Sequence, residues 1–102
     1  MKILHLTLKE KWFNMILSGE KKQEYREIKP YWNKRLLNRN YDIIRFRHGY
    51  SKNAPEFDIE YLGCKIDYPK AEWSNNWKGK CYVLQLGNIL NVNKSRSGSE
   101  GK

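Results

Sequence analysis

A chain of 102 residues has room for one small hydrophobic core and not for two, so it reads as one domain, which limits the chemistry it can house. Its 20 Lys and Arg outnumber 11 Asp and Glu, and the formal net charge of +9 favours polyanionic partners, nucleic acid first. No apolar run approaches the ~20 residues of a spanning helix, and no basic amphipathic helix exceeds about three turns, so membrane binding is not expected.

Ile3, Leu4, Leu6 and Leu8 read as a first strand. Thr7 with Glu10 three residues on has the spacing of a capping box, so a helix is expected over 8–18. Trp12, Phe13, Ile16 and Leu17 form its apolar stripe, and Gly19 supplies a left-handed stop. A strand over 23–28 follows, on which alternation puts Glu24 and Arg26 on one face and Gln23, Tyr25 and Glu27 on the other. Pro30 suits the first turn of a second helix, where its missing N–H costs nothing, and Tyr31, Trp32, Leu36 and Leu37 carry that helix to about residue 39.

Residues 41–48 alternate Ile44 and Phe46 against Ile43, Arg45 and Arg47, a strand with a cationic outer face. Gly49, Asn53 and Pro55 mark a loop, and residues 57–66 return as a long strand with a bend near Gly63. Residues 67–80 read as irregular, and 81–86 as a last strand with Tyr82, Leu84 and Leu86 on one face. Residues 1–90 therefore form one α+β domain of about five strands and two helices, whose sheet curls into a small mixed β-barrel. Residues 91–102 read as a basic tail, disordered from Lys94 onward because almost nothing in it is apolar.

Aromatic residues make up 14% of the chain, including Trp12, Trp32, Trp73 and Trp77. Such side chains either fill a small core or offer stacking platforms to bases, and Trp73 and Trp77 admit both readings. Cys64 and Cys81 have neither CxxC spacing nor a histidine cluster beside them, so no metal site, disulfide framework or cofactor is implied. The opening Met1-Lys2-Ile3-Leu4-His5 lacks a long apolar region with a cleavage site, which makes a cytoplasmic location the expectation.

The chemistry concentrates in Ser18-Gly19-Glu20-Lys21-Lys22-Gln23-Glu24-Tyr25-Arg26, a helix stop followed by cations and a carboxylate at a helix-to-strand corner. Gly19, Lys21, Glu24 and Arg26 spell GxKxxExR. This pattern, with the strand, helix, helix and strand order around it over roughly residues 2–90, resembles the signature of the ASCH domains, relatives of the PUA-like RNA-binding barrels, in their small stand-alone bacterial or phage form. The resemblance implies a PUA-like barrel with a cleft beside the helices, in which Gly19, Lys21, Glu24 and Arg26 line a pocket for RNA or a nucleotide-like ligand.

Arg26 can grip a phosphate in a planar fork and Lys21 as a point charge, while Glu24 can accept from a base or ribose donor. The same three side chains also read as an ion network that fixes the turn. Further candidates for contacts to the ligand are Arg45, Arg47 and His48 at the end of the third strand, and Tyr50, Lys52 and Asn53 in the loop beyond it. Each of these equally suits a solvated basic surface. One branch of the ASCH family resembles amidohydrolases that act on N-acetylated cytidine with the signature lysine, a threonine and a separate glutamate. Here Glu24 stands where that branch has threonine.

Three functions follow as expectations. The first is a monomeric module that binds RNA, other single-stranded nucleic acid or a nucleotide-like molecule, including one with a modified base. The second is a ribonuclease or nucleoside amidohydrolase in which Lys21 and Glu24 act as acid and base. The third is an accessory module that binds a protein through exposed Tyr and Trp.

Overall fold

The computed structural model describes residues 1–93; of the tail expected over 91–102, residues 91–93 belong to the last strand instead, and 94–102 lie outside the described residues. Strand β1 (Ile3–Leu8) leads into helix α1 (Glu10–Leu17), strand β2 (Gln23–Arg26), helix α2 (Pro30–Leu36) and strand β3 (Ile43–His48). The long strands β4 (Glu56–Asp67) and β5 (Cys81–Asn93) follow, joined by a segment that contains one short 3-10 turn (Ala71–Trp73).

The strands form one mixed sheet in the order β1-β3-β4-β5-β2. β1 runs parallel to β3, and the other three pairings are antiparallel. The sheet curls into a half-barrel, with β1 and β2 as its edge strands. The capping box is a misreading: Thr7 belongs to β1, and Lys9 holds the N-cap position with no side-chain cap bond. Apolar alternation carries β1 through Leu8, because Leu4, Leu6 and Leu8 are all needed in the core. Helix α2 stops at Leu36 rather than near residue 39, since Leu37 is extended and Asn38 is left-handed at φ +54°.

A main core gathers Leu4, Leu6 and Leu8 of β1, Phe13 and Ile16 of α1, Ile44 and Phe46 of β3, and Tyr82, Leu84 and Leu86 of β5. Tyr25, Cys81 and Val83 form a second cluster, with Trp73 and Trp77 packed against it. The start of β5 is thus buried on both faces, unlike the half-buried strand that its alternation suggests. β5 also continues to Asn93, well past the expected end at residue 86. Its pairing with β4 extends to the partners Glu56 and Asn93, through register shifts between Asp58 and Gly63 that place the bend where Gly63 was expected to allow it. Gly87 sits opposite this irregularity, and a Cβ there would lie 2.6 Å from Glu60 Oε1 and 2.9 Å from Glu60 Cβ.

An aromatic cleft over a buried ion triad

Helix α1 ends as its glycine dictates. Gly19 takes φ +87° and donates to the Ile16 carbonyl, and the Lys21 amide returns to the Met15 carbonyl at 2.9 Å. The Leu86 amide donates to the Lys22 carbonyl, which pins the far side of the corner to β5. The turn is therefore fixed at both ends, and Lys21 leaves it pointing inward.

Lys21 is only 2% exposed and donates to Glu24 Oε1 at 2.8 Å. Arg26 donates to the other carboxylate oxygen of Glu24 at 2.7 Å and to the Thr7 carbonyl at 3.2 Å. The second of these bonds spans the seam between the two edge strands, so one guanidinium ties β2 to β1 where no ladder does. Arg26 also lies under Trp32, 5.0 Å from the ring centroid, and its Nε is buried without a hydrogen bond among the described residues. Lys21 Nζ sits 4.3 Å from the centroid of Trp12 and 5.5 Å from that of Tyr25. Burial pushes the Lys21 ammonium below its usual range, against the pull of Glu24 in the other direction. Two cations share one carboxylate, so the triad carries net positive charge.

Above this triad opens a cleft of about 230 Å³, lined by Trp12, Lys21, Glu24, Tyr25, Trp73, Ser74, Asn75 and Trp77. Its outer wall comes from the segment between β4 and β5. That segment is held in place by the Lys70 amide, which donates to the Tyr25 hydroxyl at 3.1 Å, and by the packing of Trp73 and Trp77 on the second core cluster. The tyrosine hydroxyl in turn donates to Gln23 Oε1 at 2.7 Å.

Of the four residues expected to line a pocket, Lys21 and Glu24 line this cleft, whereas Arg26 reaches it only through Glu24 and Gly19 stays in the turn behind it. Trp12 of the helix stripe, Tyr25, which alternation places on the face away from Glu24, and Trp73 and Trp77 complete the cleft, and only the pairing of β2 with β5 sets the later tryptophans beside Lys21. The remaining candidates lie elsewhere. Arg45 forms a two-pronged bond to Asp58 at 2.7 and 3.0 Å, with Glu56 at 3.8 Å, and these carboxylates raise its guanidinium further. The cationic face expected of β3 is thus neutralised at this position.

Arg47 lacks a carboxylate partner among the described residues. It donates to the Ser51 carbonyl, and its Nε is buried without a hydrogen bond. His48 packs against the Phe13 ring at 5.9 Å. Tyr50 is 87% exposed, and Lys52 and Asn53 lie on the exposed loop beside it. Among the described residues, no three His, Cys, Asp or Glu side chains converge as metal ligands, and no helix is long and apolar enough to cross a membrane.

No protein family model, no curated protein and no solved structure matches this chain.

Proposed function

We propose that the domain is an ASCH-type, PUA-like module that binds RNA or a nucleotide by taking one base into the aromatic cleft. The observation that carries this reading is the position of Lys21 and Glu24, two members of the ion triad, in the lining of a cleft walled by Trp12, Tyr25, Trp73 and Trp77, with Arg26 behind Glu24. A volume of about 230 Å³ is below the roughly 300–1,000 Å³ of sites for drug-sized ligands, which suits a single planar heterocycle better than a larger molecule.

The rings offer π faces to any base. Lys21 keeps two of its three N–H bonds beyond the one given to Glu24, and these suit a carbonyl oxygen on a base edge. Each Glu24 oxygen keeps a lone pair for an exocyclic amine. A structural ion network alone would not require four aromatic walls around it, nor an unshared positive charge.

The test is titration of the four ribonucleoside monophosphates, followed by tryptophan emission, since three of the four tryptophans line the cleft. At least one should quench the emission, and Trp73→Ala should weaken its binding about 5- to 150-fold, the worth of one stacked base. Binding that is indifferent to Trp73 and Lys21 removes this reading.

A hydrolytic role has one observation in its favour, the downward shift of Lys21 by burial beside a carboxylate. This is the direction that acid–base work near neutrality needs. Incubation with RNA and with N-acetylated cytidine decides it, and absence of turnover on both rejects it.

A further inference from the structure

The Thr7 carbonyl that receives Arg26 belongs to a residue that also lines a second depression. This hollow of about 440 Å³ is formed by Thr7, Leu8, Lys9, His48, Gly49 and Tyr50. It sits where the end of β1 meets the end of β3, with Leu8 and His48 as register partners and Thr7 opposite Arg47. Arg26 therefore stands between two concavities, touching Glu24 of the first and Thr7 of the second.

The chemistry of the second hollow differs from that of the cleft. Lys9 and His48 line it, Arg47 precedes His48 on β3, and Lys9, Arg47 and the nearby loop residue Lys52 have no ion-pair partner among the described residues. Arg45 on the same strand shows the contrast, because Asp58 and Glu56 take up its charge. Glu56, the register partner of Arg47, leans toward Arg45 instead.

The loop that carries Tyr50 is built to hold its position. The His48 amide donates to the Pro55 carbonyl at 3.0 Å, the Ala54 amide donates to the Ser51 carbonyl at 3.0 Å, and Arg47 grips that same Ser51 carbonyl. An aromatic ring 87% exposed on a tethered loop, in the same hollow as Lys9, offers the kind of face on which a base can stack.

We propose that the hollow at Thr7, His48 and Tyr50 is a second nucleotide subsite, so that the ligand is a strand of single-stranded RNA. One base enters the aromatic cleft, the backbone crosses Arg26 and a neighbouring base stacks on Tyr50. The proposal rests on the nucleotide reading of the cleft and extends it from a mononucleotide to a polymer. Charge complementarity selects the occupant: Arg26 stands between the two concavities, Lys9 lines the second, and aromatic rings stand at both.

The experiment compares the four ribonucleoside monophosphates with the corresponding homohexamers, using the full chain and its Tyr50→Ala and Lys9→Ala variants. Both positions are exposed, so folding should be unaffected, and unchanged far-UV circular dichroism checks this. The best hexamer should bind at least tenfold more tightly than its monophosphate. Tyr50→Ala should cost the hexamer about 5- to 150-fold and the monophosphate less than twofold.

A monophosphate that binds as tightly as its hexamer overturns the second subsite and leaves the cleft reading standing. Equal losses for both ligands on Tyr50→Ala also overturn it, by making Tyr50 part of the cleft. Failure of every monophosphate and hexamer to bind overturns both readings. An acidic peptide of matching charge that displaces the hexamer at equal concentration assigns the surface to a protein partner and overturns the polymer reading.

Discussion

Lys21 is the residue whose environment departs furthest from what its type prefers. Lysine is rarely buried without a partner, and here Glu24 is that partner, with Arg26 sharing it. The sign of the pH dependence follows from the direction of the shift. The folded-state pKa of Lys21 lies below its ordinary value of 10.5, so between the two values the unfolded chain binds more protons than the folded one. The contribution of Lys21 to stability is complete above 10.5 and is lost as pH falls through the folded value. Tyr25, Tyr82 and Cys81 act in the opposite sense. Burial raises all three, Cys81 to about 11, so their contribution is full below the ordinary values of 9.0 to 10.0 and is lost as pH rises through the folded ones. We expect the wild type to lose less stability between pH 8.5 and 10.5 than Lys21→Met, which lacks the opposing group. Urea midpoints across that range measure the difference, and parallel curves would place Lys21 at an ordinary pKa.

At the scale of elements, the half-barrel depends on the irregular pairing of β4 with β5. Gly87 belongs to that irregularity because there is no room for a methyl group against Glu60, whose carboxylate accepts from the Asn88 amide at 2.8 Å. Gly87→Ala is expected to cost about 1–3 kcal/mol by overcrowding, read as a fall in the urea midpoint at constant slope. No loss would mean that the strand relaxes freely there. The elements also show how far patterning reaches. Helix α1 was legible because an apolar stripe and a terminal glycine are both local signals, and Phe13 and Ile16 are buried as that stripe requires. Its start was misplaced because Thr7 with Glu10 has capping-box spacing, while the core holds Leu8 in the strand. The reach of β5 to Asn93 was missed because Ile89, Leu90 and Val92 are exposed and no burial pattern marks them. Only their pairing with β4 makes them a strand.

For the molecule as a whole, the excess of positive charge is spent unevenly. Arg45 and Lys65 are paired with carboxylates, whereas among the described residues Lys9, Arg47 and Lys52 have no ion pair and Arg26 shares the Glu24 carboxylate with Lys21. If the RNA hexamer crosses these four cations, its affinity should fall with a log–log salt slope of roughly −2 to −3, taking about 0.7 per single-strand phosphate contacted. A nucleoside monophosphate should show a much shallower slope. Equal slopes for the two would mean that the surface cations play no part. The ordered residues Gly19, Lys21, Glu24 and Arg26 could be read in the chain because they are neighbours on one turn, where spacing and secondary structure set geometry directly. The cleft could not. Its outer wall lies about fifty residues further on, in a segment without periodicity, and reaches Lys21 only because β2 pairs with β5 and Tyr25 anchors Lys70. Local sequence thus settled the α+β elements, the helix stop and the charged corner, since those depend on interactions within a few residues. Sheet closure by Arg26, the neutralisation of Arg45 and the aromatic walls were settled by the tertiary structure, because long-range pairing and burial decide which charges meet and which remain open to a ligand.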